Sequence, residues 1–404
     1  MQGHPDWRPT VVITCSLAVV FVVVMWSIRK RSSSDKSKRA KEKDAKEDEE
    51  IEEIDTSSGD VDHEVYLAIC PTNDNIPELP YPNWVKVGEI QELYAYPLKS
   101  GRGKAVKECD FTEFGISIES KGHFTLRDRM FLVYNEETGR FQTGRQYPTL
   151  ILVSLSAVDE TKVKLEAVGM PSMVFTVPKC SDESPEAVQC TMWWGEPVKC
   201  IDCGSEPAEW LSRFLTGTNS GLRLGCAMMD KRNITDGPWE NYTKVYKTLR
   251  NEDTGLFSDL ASYMLMTTRS VELLNEKLEI PVPALQFRPN ILVSTEKPFE
   301  DDNWEWIKIG RRAVIRNVKP CTRCKFIRVN PESGIMDEQE PSKTLKTFRE
   351  LMDPERVKLE GKVPTIGILC GLYLSGRVNI GDEVFVHVPD NSSIETRQPE
   401  ETAN

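Results

Sequence analysis

The sequence predicts a mostly β protein, with two β-barrel-like units and a few helices behind an N-terminal transmembrane anchor. From Trp84 onward, short alternating or apolar runs recur between turn residues, and helical spacing is confined to a few stretches. One uncharged, Val-rich segment lies near the N-terminus. Many turn-bounded strands with scattered helices suit barrels better than a doubly wound sheet, in which strands alternate with long helices.

Residues 1–10 read as a short tail, and residues 11–28, VVITCSLAVVFVVVMWSI, as the anchor. At 1.5 Å per residue this uncharged stretch is just long enough to cross a thin hydrocarbon core. A secretory signal peptide is the rival reading, but the basic residues follow the segment and no small-x-small cleavage site comes next. The flank RKRSSSDKSKRAKEKDAK is strongly basic while only Arg8 precedes the span, so the positive-inside rule puts the C-terminal bulk in the cytosol. Sequons at Asn233, Asn241 and Asn391 would be glycosylated only in the reverse orientation. Residues 29–80 form a charged linker, basic and then acidic (EDEEIEEIDTSSGDVD), with little to bury and therefore expected to be disordered.

The first β-rich unit is placed at 84–226 and the second at 229–388, with MMDKRNITDGPWENYTKV as the boundary between them. Strand-like runs are VKVGEIQELYAYPL, MFLVYNEETGRFQ with NEETG as a hairpin loop, LILVSLSAV, KVKLEAV, SMVFTV, WIKIGRRAVIRNV, KFIRV and GRVNIGDEVFVHV. Ser205 reads as the cap of a helix carrying Trp210, Leu211, Phe214 and Leu215 on one face, and SVELLNEKL and SKTLKTFREL have similar spacing. Residues 389–404 are polar and read as a disordered tail.

Composition removes several functions. A net charge of −12 with no sustained basic stripe in the folded part offers nothing to a phosphate backbone, so nucleic acid is not expected as a partner. Four histidines, two of them at His4 and His63 outside the folded part, make a multi-His metal centre hard to assemble. Eleven cysteines, an odd number without the dense spacing of a secreted scaffold, fit a reducing compartment.

Two Cys-x-x-Cys pairs stand out, Cys200/Cys203 in KCIDCG and Cys321/Cys324 in PCTRCK. Spacing alone admits a four-thiolate zinc site, a redox pair or buried thiols acting as small hydrophobes, the last being the commonest fate of a cysteine. The second pair differs because Thr322 and Arg323 lie between its thiols, and a guanidinium favours a nearby thiolate, the ligand that soft metals select.

Taken in order, YPLKS (96–100), LRDRMFLV (126–133), TGRQYPTL (143–150), FRPNILV (287–293) and PCTRC (320–324) resemble the signature of MOSC-domain proteins, and among them the mitochondrial amidoxime-reducing components. The resemblance runs from about Trp84 to His387. It implies the molybdenum cofactor, a pyranopterin (molybdopterin) whose dithiolene holds the metal, with Cys324 as the protein's thiolate ligand to molybdenum and Cys321 as its neighbour. By position in the motifs, Lys99, Ser100, Arg129, Arg288, Asn290, Thr322 and Arg323 hold the pterin and its phosphate. Arg supplies a planar fork of donors, Lys a compact charge, and Ser, Thr and Asn fill the remaining bonds. Asp259 is expected to handle protons near the metal, while Arg127 and Arg145 stay undecided between pocket and scaffold. Where relatives carry Ser-Asp-Thr-Ser, this chain reads Ser258-Asp259-Leu260-Ala261, so two hydroxyls are missing unless Ser262 substitutes after a one-residue shift.

The implied activity is reduction of N-hydroxylated compounds, namely amidoximes, hydroxylamines and hydroxamic acids. The chain has neither a haem-attachment C-x-x-C-H nor a convincing dinucleotide fingerprint, so the electrons come from elsewhere. The resemblance implies cytochrome b5 and its NADH-dependent reductase as that source, and the outer mitochondrial membrane as the location, with the endoplasmic reticulum as the alternative. The rival functions are a membrane-tethered cofactor carrier, a sulfur-handling protein and an inactive scaffold. Sulfur handling by the sulfurase route would need a pyridoxal phosphate domain with a Schiff-base Lys, which is not expected here.

Overall fold

The computed structural model describes residues 84–179 and 187–387. The anchor, the charged linker and both tails inferred from sequence lie outside them. No helix among the described residues is long and apolar enough to cross a membrane.

The protein is mostly β, organised around a closed seven-stranded barrel. Its strands are, in spatial order, Ile291–Ser294, Tyr263–Thr267, Thr365–Leu374, Ala313–Thr322, Trp306–Ile309, Glu383–His387 and Trp84–Ala95. Trp84–Ala95 pairs back onto Ile291–Ser294, with Glu89 opposite Ser294 and Leu93 opposite Ile291, which closes the sheet and leaves no barrel edge. One long strand can serve two partners because it bulges at Lys86/Gly88 and Ile90/Glu92. Gly88 is required there, since a Cβ would lie 1.8 Å from the Ser294 carbonyl oxygen. This first strand lies within the 84–226 stretch but hydrogen-bonds into a sheet built from the 229–388 stretch. Tyr263–Thr267 and Ile291–Ser294 run parallel, joined by a crossover containing the helix Thr268–Asn275.

The barrel interior is filled by inward-facing residues such as Ile90, Leu93, Leu265, Ile291, Ile307, Ile315, Ile368 and Val384. Each contributes about 1.5–3 kcal/mol on burial, so the alternation read along these runs fixes their register. A second core, around Leu126, Phe131, Leu132, Leu165, Phe175, Leu211 and Leu224, joins three smaller sheets and the helix Ser205–Thr216.

Three local readings change. KFIRV is not a strand: Lys325–Arg328 forms a 3-10 turn that packs Ile327 into a core beside Cys321. Ser205 is the first helical residue rather than a side-chain cap, and Gly204 occupies the cap position with φ 94°. In LILVSLSAV, Pro148–Leu152 is a 3-10 helix and the strand begins at Ser154.

Asp301, in the 3-10 helix Glu300–Asn303, is fully buried, and neither of its carboxyl oxygens has a protein partner. Burial, reinforced by the neighbouring Asp302 charge, pushes its carboxyl up to about 7. The native state therefore binds a proton that the unfolded state has already lost between the ordinary Asp value and about 7, and stability falls as pH rises through that window. Asp301→Asn is expected to raise the melting temperature at pH 8 by several degrees and to change it little at pH 4. Denaturation scans at the two pH values check this, and equal shifts at both would refute the assignment.

Candidate functional site

All nine residues singled out from the sequence line one cavity of about 380 Å³. They reach it from five segments far apart in the chain: the loop after Trp84–Ala95, the turn after Phe124–Arg127, the loop before Tyr263–Thr267, which brings Asp259, the turn before Ile291–Ser294 and the end of Ala313–Thr322. Ser100, Arg129 and Arg288 all have positive φ, at 64°, 48° and 58°. A non-glycine residue in that region costs on the order of 1–3 kcal/mol, and such strain collects where side chains must be aimed.

The cavity wall is strongly cationic. Lys99, Arg129, Arg145, Arg288, Lys319 and Arg323 face it against only Asp259 and Glu360. Lys99 is buried, donates to the Phe257 carbonyl at 2.6 Å and to Asp259 Oδ1 at 2.5 Å, and lies over the rings of Phe141 and Trp194. Burial lowers the Lys99 pKa, opposed by Asp259. The cavity disfavours the charge on Asp259, yet the Lys99 ammonium holds its carboxyl below the usual range. Asp259 is thus kept as a carboxylate.

Tyr96 organises the arginines. Its ring lies 4.4 Å from Arg129 and 4.1 Å from Arg288, and its hydroxyl donates to the Pro289 carbonyl. Arg288 Nη1 donates to the Gly101 carbonyl at 2.7 Å, while its Nη2 is buried without a partner. Burial pushes the Arg288 pKa down to about 10. Arg323 donates to Cys321 Sγ at 2.7 Å and to the Phe287 carbonyl, and its Nε is likewise buried and unpaired. The guanidinium expected to favour a thiolate therefore lies against Cys321. Cys324 is the exposed thiol, next in sequence and facing the same cavity.

Two assigned residues are committed within the protein. Asn290 donates to the Tyr94 carbonyl and Asp128 Oδ1, and accepts from Arg129 and the Met264 amide, so it aims Arg129. The Thr322 hydroxyl donates to Glu360 Oε2 at 2.6 Å. Of the undecided pair, Arg145 lines the cavity stacked on Trp193, whereas Arg127 donates to Thr112 and belongs to the scaffold. Ser262 does not replace the missing hydroxyls, because its Oγ donates to the Asp253 carbonyl. Leu260 and Ala261 instead pack in an apolar cluster with Trp239 and Val318.

A profile for the MOSC N-terminal beta barrel domain matches residues 87–218, and one for the MOSC domain matches residues 252–385. The chain is 34% identical to mitochondrial amidoxime-reducing component 1 of Mus musculus, over 74% of this chain and 83% of the relative. This chain belongs to the family of mitochondrial amidoxime-reducing components. Component 2 of Bos taurus and component 1 of Homo sapiens are 32% and 31% identical, each over 74% of this chain and 83% of the relative.

Among the described residues the two Cys-x-x-Cys pairs belong to different cores. Cys200 and Cys203 are buried in the core of the smaller sheets, with the Cys200 and Cys190 sulfurs 3.2 Å apart, whereas Cys321 packs with Met264, Phe287 and Ile327. Among the described residues, no three His, Cys, Asp or Glu side chains converge as a metal cage.

Sequence reasoning missed Asp128, Trp239, Tyr242, Lys319 and Glu360. Trp239 and Tyr242 come from the stretch read as a boundary, which reaches the cavity through a 3-10 turn and a short helix. Lys319, a charge directly before PCTRC in a strand otherwise carrying only Arg316, was the one available signal. Gly144 was also passed over: a Cβ there would lie 2.3 Å from the Phe326 ring, which follows Cys324 on its loop. Gly144→Ala is expected to cost about 1–3 kcal/mol and to displace that loop. Faster alkylation of Cys324 by iodoacetamide than in the wild type checks this, and an unchanged rate would refute it.

Proposed function

We propose that this chain is a membrane-anchored, molybdenum-cofactor oxidoreductase that reduces N-hydroxylated compounds. The observation that carries the reading is the convergence of a solvent-reachable thiol, Cys324, with a cationic wall holding two buried, unpaired guanidinium nitrogens, on Arg288 and Arg323. A phosphate-bearing anionic group would satisfy those donors, and a soft metal would take the thiolate. The residues present fit a molybdenum-pterin group.

In this reading Lys99, Ser100, Arg129, Arg288 and Arg323 hold the pterin and its phosphate, Asn290 keeps Arg129 aimed, and Cys324 is the ligand to molybdenum. When bound, the cofactor supplies the two electrons that break the N–O bond, the oxygen leaving as water. Two protons are consumed for each N-hydroxyl group reduced. Asp259, held ionised by Lys99, accepts and passes protons rather than storing them at neutral pH. The Trp239, Leu260 and Ala261 wall keeps bulk water away from the reacting group. Cytochrome b5 and its NADH-dependent reductase are the proposed electron source, and the mitochondrial outer membrane, with the folded part facing the cytosol, the proposed location. The relatives' names and the anchor at 11–28 support that placement.

The test is molybdenum content and benzamidoxime turnover by the full chain, purified from a host that makes the pterin. Near-equimolar molybdenum with turnover by a reduced donor is expected. Molybdenum without turnover would favour a carrier or a scaffold, and no molybdenum would remove the reading.

A further inference from the structure

Besides its cationic wall, the cavity is lined by an ion pair, Lys319 with Glu360, that the reductase reading leaves without a role. Lys319 and Glu360 are a buried ion pair at 3.0 Å, their side chains only 3% and 6% exposed, and both line the cavity. Glu360 Oε2 also accepts from Thr322, Oε1 accepts from the Tyr246 hydroxyl, and Lys319 Nζ approaches Thr322 Oγ1 at 3.3 Å and lies over the Tyr246 ring. Trp239, Tyr242, Leu260, Ala261, Val363 and Leu369 form the apolar wall around them.

A buried ion pair is a weak source of stability and is often replaceable by apolar residues. Its position on a cavity wall gives it a different use. Lys319 has three donors and spends two, on Glu360 and Thr322, while Oε1 of Glu360 accepts only from Tyr246. One ammonium N–H and a lone pair on Glu360 Oε1 remain beyond these bonds, and the pair carries no net charge. That arrangement matches a neutral group that both accepts and donates, and penalises a charged one.

We propose that Lys319 and Glu360, with Thr322 and Tyr246, form the subsite that receives the polar N-hydroxyl head of the substrate and selects uncharged N-hydroxylated compounds with an apolar body. The proposal rests on the reductase reading and adds to it which residues choose the substrate. Selection arises from the balance of the pair, so each single neutralisation must shift preference in an opposite direction.

The experiment is equilibrium binding by calorimetry to the molybdenum-loaded full chain without electron donor. The probes share a phenyl body and differ in the charge of the head: benzamidoxime is neutral, benzoate is the carboxylate probe and benzamidinium is the cationic probe. The wild type is expected to bind the neutral probe most tightly. Glu360→Gln leaves the ammonium unopposed and should shift preference toward the carboxylate probe by about ten-fold or more, Lys319→Met should shift it equally toward the cationic probe, and the double variant should restore the wild-type order. A pair that only braces the fold would weaken all three probes together, and that result overturns the subsite. If either single variant fails to fold, the wild-type order decides, because tightest binding of a charged probe refutes selection by a balanced pair. A loaded, active chain with unshifted preferences sinks the subsite alone, whereas a chain that holds no molybdenum removes the reductase reading and the subsite together.

Discussion

Cys324→Ala is expected to abolish molybdenum retention and to lower benzamidoxime turnover by more than about 100-fold, the upper end of what losing a partner of a metal ligand usually does. Two thiols compete for the assignment, and their surroundings separate them. Cys321 borders the same cavity but is buried against an apolar core, with Arg323 Nη1 at 2.7 Å from its sulfur, so a metal there would have to displace that guanidinium. Cys324 is exposed to the cavity at the start of the 3-10 turn Lys325–Arg328, where its extended backbone leaves the side chain outside that turn. Cys321→Ala should therefore keep the metal and lose about 1 kcal/mol of stability from the core. Metal analysis and denaturation of the two variants side by side check this. Loss of molybdenum in Cys321→Ala with retention in Cys324→Ala would reverse the assignment.

The barrel was legible because its strands must bury one face, and Ile307, Ile309, Ile315 and Val384 mark that face at period two. Closure was not legible, since it depends on Trp84–Ala95 pairing with Ile291–Ser294 across some 200 residues through a bulge at Ile90/Glu92 that no local pattern signals. KFIRV was misread because a short apolar run fits a strand or a turn equally well, and Arg328 bonding to the Glu338 carbonyl settles it from outside the segment. The cationic half of the site was legible because its residues travel in compact motifs. The Lys319–Glu360 half was not, because its members are 41 residues apart and become partners only when the short helix Pro354–Glu360 packs beside the end of Ala313–Thr322. Asn290 and Thr322 show a further limit: motif position finds a residue at the cavity but does not say whether its side chain faces a ligand or another residue.

Asp128→Ala should be the most damaging single change to the scaffold of the site. Asp128 is buried, and its Oδ1 accepts from the Tyr96 amide at 2.8 Å and from Asn290 Nδ2 at 3.1 Å, while Oδ2 accepts from Arg129. Truncation would leave the Tyr96 amide without its acceptor and remove the carboxylate partner of the largely buried Arg129 guanidinium and one of the two acceptors of the Asn290 amide. Leaving one member of a buried pair uncompensated costs about 3–5 kcal/mol, a fall in melting temperature of roughly 6–15 °C for a folded part of this size. Asp128→Asn keeps an acceptor for the Tyr96 amide but turns donors toward Arg129, so an intermediate loss is expected. The backbone of Arg129 stays anchored by its amide to the Tyr96 carbonyl and by its carbonyl to the Phe257 amide, which leaves the side chain's aim as what is lost. Molybdenum content should fall in both variants even at temperatures where they remain folded. Thermal denaturation with metal analysis of the folded fraction separates the two effects. If Asp128→Ala melts within about 2 °C of the wild type, the carboxylate is not the hub that orients Arg129 and Asn290. If it is destabilised yet keeps full molybdenum, Arg129 reaches its place without Asp128, and the strained backbone at φ 48° alone sets its aim.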